Sequence, residues 1–127
     1  MQINPVINTK PSPSLSYVRD LEKEWHITIP NELIDFFMNS NGGRPKFNTH
    51  IAETGEKCVL HEFLYIGSKE KVGSFDCVVN DLIIEIPMMP NYLIPFAINE
   101  EGDFYCMNIK KKFYEKIYFL EIILMKI

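Results

Sequence analysis

A chain of 127 residues with 46% apolar and 24% charged residues has enough core-forming side chains for one folded domain, and its composition excludes general disorder. A net charge of −4 and an isoelectric point near 5.4 argue against a phosphate-neutralising surface, so nucleic acid is not the expected partner, whereas a basic protein is compatible. Cys58, Cys77 and Cys106 are odd in number, far apart and set among apolar residues. They read as free, buried thiols in a reducing compartment, and the protein is expected to be cytoplasmic.

The first residues, MQINPVINTKPSPS, have neither a basic start nor an apolar stretch of signal-peptide length, so export is not expected. Residues 1–13, rich in Pro and Asn, read as an extended arm before a single domain over 14–127. Ser14 or Ser16 can cap a first helix over 15–25, with Leu15, Val18, Leu21 and Trp25 on its apolar face. Trp25 is the only tryptophan and is expected to be buried against the second helix. HITIP is an extended connector, because Ile29 precedes a proline and is pushed out of the helical region. Pro30 then suits the start of a second helix over 31–40, where Leu33, Phe36, Phe37 and Ser40 share one face.

Asn41-Gly42-Gly43 follows at once. Asn41 or Gly42 can take the left-handed conformation that closes a helix. One glycine suffices for that, so Gly43 reads as a place where backbone must pass closely. Residues 41–57 form a long polar loop with a short strand near 47–51. CVLHEFLYIG is a strand by its aromatic and branched content, ended by Gly67.

KVGSFDCVVNDLIIEI has Val72, Phe75, Val79, Leu82 and Ile83 at helical spacing. It predicts a helix over 70–84 with Ser74 as an alternative cap, although LIIEI also fits a strand. PMMPNY breaks it twice. LIPFAIN, DFYCMNI and KIYFLEI read as three successive strands. NEEGD joins the first two as a hairpin turn with Gly102 at positive φ. The apolar tail IYFLEIILMKI is too short to span a bilayer and carries Glu121, so no membrane association is expected. Helices come first and strands later, with one helix inserted. That order predicts an α+β fold, a largely antiparallel sheet packed with the N-terminal helices and the inserted helix.

No arrangement for catalysis stands out. Cys58 and His61 have a C-x-x-H spacing that could supply half a metal site, but residues three apart in a strand point to opposite faces. His26, His50 and His61 share no local motif. Glu100, Glu101 and Asp103 cluster in a turn without the alternating acids and distant Glu of a calcium loop. The Asn-Gly-Gly segment follows a helix, whose negative end repels anions, so it is not a phosphate loop. Nucleophile-elbow, zinc-protease and phosphate-loop signatures are absent. Neither an enzyme nor a bound metal or cofactor is expected.

The order YVRDLEKEWHITIP, ELIDFFMNSNGG, HEFLYIG, PNYLIPFAINEEGDFYCMNI and KIYF resembles the SUKH superfamily over about residues 14–120. That superfamily is named in part for fungal glucan-synthesis regulators and bacterial immunity proteins. The residues carrying the resemblance include Trp25, Pro30, Asn41, Gly42, Gly43, Pro95 within Leu-Ile-Pro-Phe-Ala, and Gly102. Two departures are visible. Glu101 stands where the family often has a second residue of glycine character. The family also usually adds an aromatic-acidic stretch and a terminal helix, whereas this sequence ends with LEIILMKI, so that helix is expected to be missing.

The resemblance implies a non-enzymatic binding domain. Bacterial members are typically immunity proteins that neutralise a polymorphic toxin, often a nuclease. Fungal members regulate wall synthesis and signalling. A short single-domain chain is more similar to the bacterial kind, with a regulatory scaffold in wall synthesis as the alternative. The Asn-Gly-Gly segment is then architectural, and recognition is expected in the variable loop over 44–57, which starts at Arg44. Toxin nucleases are often basic, so the candidate contacts are Arg44, Glu53 and Glu56 in the loop and Glu100, Glu101 and Asp103 in the turn. Weak self-association is compatible with this reading.

Overall fold

The structure, a computed structural model, describes residues 6–7, 9–45, 49–51, 57–109 and 122–125. The described part of the arm, residues 6–7 and 9–13, is paired with later chain. Its strand β1 (Val6–Ile7) lies antiparallel to a later strand, and the Lys10 N–H donates to the Asn41 carbonyl at 2.7 Å. Helix α1 (Leu15–Trp25) starts at Ser14, whose Oγ accepts the Tyr17 N–H at 3.2 Å. It ends at His26, held at a φ of 55°. Val18, Leu21 and Trp25 are buried, whereas Leu15 stays half exposed at the first turn. Glu22 fixes the extended connector, because its carboxylate accepts the Ile29 N–H at 2.7 Å.

Helix α2 (Asn31–Asn39) follows with Pro30 as its cap; the Pro30 carbonyl accepts the N–H groups of Leu33 and Ile34, both at 3.0 Å. Leu33, Ile34, Phe36 and Phe37 are buried. The chain then forms β2 (Arg44–Pro45), which pairs with β1, and the hairpin β3 (Thr49–Ile51) and β4 (Lys57–Val59). β5 (Glu62–Phe63) opens the main sheet. The expected single strand over 58–67 is therefore divided. Its backbone groups bond to several different partners: β4 to β3, Phe63 to Gly43, and Leu64 to Phe96.

The inserted helix starts five residues later than its periodicity predicts. Helix α3 (Phe75–Val79) begins at Ser74, the alternative cap, whose Oγ accepts the Cys77 N–H at 3.1 Å and donates to the Ser68 carbonyl. It continues as a wider π-helical segment over Asn80–Glu85. α3 packs against β6 (Leu93–Ile98). β6 joins β7 (Phe104–Asn108) through the predicted turn, where Gly102 has a φ of 86°. β8 (Ile122–Met125) completes the antiparallel order β5-β6-β7-β8. The third strand expected at KIYFLEI lies mostly outside the described residues; the strand observed there begins at Ile122. Pro95 cannot donate to a ladder, and the β6–β7 register shifts beside it, between Pro95 and Ala97. The fold is α+β, as expected.

An aromatic chain joins the layers. Phe36 meets Phe63 edge-on at 4.8 Å, Phe37 meets Phe75 at 5.0 Å, and Trp25 lies 6.1 Å from Phe75. Trp25 is buried, as expected, but its ring neighbour is Phe75 of α3 instead of a ring of α2. Phe75 is itself the ring that reaches α2.

Within Asn-Gly-Gly, a close approach falls on Gly42 as well as on Gly43. Gly42 has a φ of 75°, and a Cβ there would lie 2.6 Å from the Cβ of Tyr65. Gly43, at a φ of 85°, bridges to β5 through its carbonyl, which accepts the Phe63 N–H at 2.8 Å. Gly42→Ala is expected to cost about 2–4 kcal/mol, combining left-handed backbone strain with overpacking. Urea denaturation checks this, and a loss below about 1 kcal/mol would show that Tyr65 yields freely.

Candidate partner-binding surface

Asn41 holds one side of the scaffold together. Its amide nitrogen donates to the carbonyls of Pro11 at 2.8 Å and Ile66 at 2.9 Å, while its oxygen accepts the Ile66 N–H at 2.8 Å. A buried amide used this fully is a structural tie. Asp76 is the second tie. It is fully buried, accepts the Gly67 N–H at 2.9 and 3.1 Å, and accepts the Tyr17 hydroxyl. Burial first, and then the bond to Asp76, push the Tyr17 phenol well above its usual range. Sequence reasoning missed Asp76, because nothing local marks a carboxylate whose partners are 9 and 59 residues away.

The acidic turn is built by another residue that sequence reasoning missed. Asn99 Oδ1 accepts the N–H groups of Glu101 at 2.9 Å and Asp103 at 3.0 Å, and the Asn99 carbonyl accepts the Gly102 N–H at 3.2 Å. An Asn three residues before a glycine is a turn signal readable in sequence. The turn presents Glu100 and Glu101 to solvent. Asp103 is only half exposed, and its carboxylate faces the Asn99 amide at 3.4 Å. Its role in the turn sets it apart from the two glutamates.

Arg44 is exposed, and its guanidinium lies 3.6 Å from the Glu62 carboxylate. Both side chains are about half solvated, so the pair contributes little stability. Glu62 is paired with Ile98, the last residue of β6 before the acidic turn. Arg44, Glu62 and the turn therefore gather at one end of the β5–β6 pair. The Tyr105 hydroxyl donates to the Val59 carbonyl at 3.2 Å, tying β4 to the same side of the hairpin. Glu53 and Glu56 lie outside the described residues.

The described thiols are poor nucleophiles. Burial pushes Cys106 up to about 12, and burial with Asp81 nearby pushes Cys77 up as well. Among the described residues no group of three or more His, Cys, Asp or Glu could hold a metal, and no helix is long and apolar enough to cross a membrane. The described scaffold presents an exposed acidic turn.

The model of the SMI1 / KNR4 family (SUKH-1) matches residues 12–125 of the chain. No curated protein and no solved structure matches it.

Proposed function

This chain belongs to the SMI1 / KNR4 family (SUKH-1), and from that premise we propose that it is a non-enzymatic protein-binding domain acting as an immunity protein. It neutralises a polymorphic toxin by direct contact, and the toxin is a basic nuclease domain. The observation that supports this partner chemistry is the acidic turn. Glu100 and Glu101 are exposed on a turn that Asn99 holds rigid, in a chain of net charge −4. A nuclease must hold phosphates and so presents cations. Carboxylates fixed in place steer its encounter and cover its substrate-binding face without first having to be ordered. Arg44, Glu53, Glu56 and Asp103 complete the proposed contact, and the cytoplasm is its proposed place of action.

The test looks for a toxin gene beside the gene of this chain and uses the nuclease domain it encodes. Because Asp103 takes part in the turn, the reversal is made at Glu100 and Glu101 alone. Changing both to Lys is expected to slow association about tenfold at low ionic strength, with the difference vanishing in high salt. Thermal stability should stay within about 0.5 kcal/mol, as for exposed substitutions away from special features. Unchanged association at low salt would remove this turn from the contact. A gene set among wall-synthesis genes with no neighbouring toxin would instead favour a regulatory scaffold.

A further inference from the structure

The end of the π-helical segment carries a second surface that the acidic turn does not explain. Ile84, Ile86 and Met88 are 39%, 63% and 55% exposed. Single exposed apolar residues are ordinary, but three large ones within five positions form a patch. The patch is held in shape by the backbone. In the widened helix the Ile86 N–H donates to the Asp81 carbonyl at 3.1 Å. That leaves the Leu82 carbonyl to accept the N–H groups of Met88 at 2.9 Å and Met89 at 3.0 Å, which folds the chain back sharply. Ile83 and Met89 are buried and anchor the segment on both sides of Ile84, Ile86 and Met88.

Its rim is acidic. Asp81 and Glu85 are both exposed, and among the described residues the hydrogen-bond partners of their carboxylates are the Cys77 thiol and the Asn80 amide, each at 3.4 Å. None of the ion pairs among the described residues includes either carboxylate. We propose that Ile84, Ile86 and Met88 form a preformed apolar docking knuckle for a protein partner that offers an apolar or aromatic side chain flanked by lysine or arginine. The apolar side chains supply the dehydrated centre of the contact and the two carboxylates its polar rim. A second copy of this chain is a poor occupant. A two-fold contact would set Asp81 and Glu85 against their own kind on a molecule already at −4. This inference rests on the protein-binding reading above and adds a second contact surface to it.

The probe is a library of random 12-residue peptides displayed on phage, selected against the full chain and needing no knowledge of the toxin. Enriched peptides should carry an apolar or aromatic residue with Lys or Arg close by. Ile86→Ser and Met88→Ser, singly and together, should weaken their binding, with about a tenfold loss for the pair. Asp81→Lys with Glu85→Lys should weaken it several-fold at low salt and little at high salt. Melting temperatures within a few degrees of the parent chain certify that each variant is folded. The proposal is overturned if no peptide is enriched, if binding ignores Ile86 and Met88, or if the selected peptides are acidic. Concentration-dependent dimerisation of the parent chain abolished by the serine variants would also overturn it, by assigning the surface to self-association. The turn-reversal experiment with the toxin reads a different surface, so the two proposals fail separately.

Discussion

Asp76→Ala is expected to remove about 3–5 kcal/mol of stability, a large share of the roughly 5–15 kcal/mol that holds a domain of this size. Asp76 has no solvent exposure, and both of its oxygens accept from the Gly67 N–H. One of them also accepts the Tyr17 hydroxyl of α1. Deleting the carboxylate leaves both donors without their partner at the junction of α1, α3 and the segment after β5. Each donor deprived of a buried partner costs about 1–3 kcal/mol, and the vacated volume adds to the loss. Asp76→Asn keeps the shape and one acceptor oxygen, so it should lose roughly half as much. Urea denaturation of the three proteins checks the order. An alanine variant within about 1 kcal/mol of the parent would show that the carboxylate is not a tie.

Trp25→Ala should cost a similar amount, about 3–5 kcal/mol, by leaving a cavity the size of an indole. Trp25 is only 4% exposed and forms the α1 end of the aromatic chain through Phe75, Phe37, Phe36 and Phe63. Its removal loosens α1 from α3 and, through Phe75, from α2. The ring nitrogen has no acceptor among the described residues. Trp25→Phe therefore loses packing but no hydrogen bond, and should cost less than half of the alanine change. Because the sequence has a single tryptophan, fluorescence reports this site alone. Folded protein should emit in the blue range of a dry indole and shift to the red on denaturation. A water-exposed emission from the native state would contradict the burial.

Much of the local architecture is legible in the amino-acid sequence. Ser14, Pro30 and Gly102 act through groups three or four residues away, so their roles can be read from a short stretch of chain. The apolar spacing of α1 and α2 singles out Leu15, Val18, Leu21, Trp25, Leu33, Phe36 and Phe37, and all but Leu15 are buried. The acidic turn and its exposed glutamates are equally legible, because a hairpin tip is a local event. Its organiser, Asn99, is a local signal too, but one that the glycine and the acids beside it overshadow.

What fails to show in the sequence depends on distant partners. Residues 58–67 look like one strand because strand propensity records side chains and not the partners their backbone will meet. Those partners are β3, Gly43, β6 and the side chain of Asn41. The burial of Asp76 has the same origin, since its chemistry is complete only once Tyr17 and Gly67 are brought beside it. The sequence by itself determined the α+β order, the helix starts of α1 and α2, the hairpin and the acidic character, all set by interactions within a few residues. The tertiary structure decided which glycine meets Tyr65, which ring receives Trp25 and where the inserted helix begins and widens. Each of those depends on contacts between segments that only folding brings together, and their energies have no local signature.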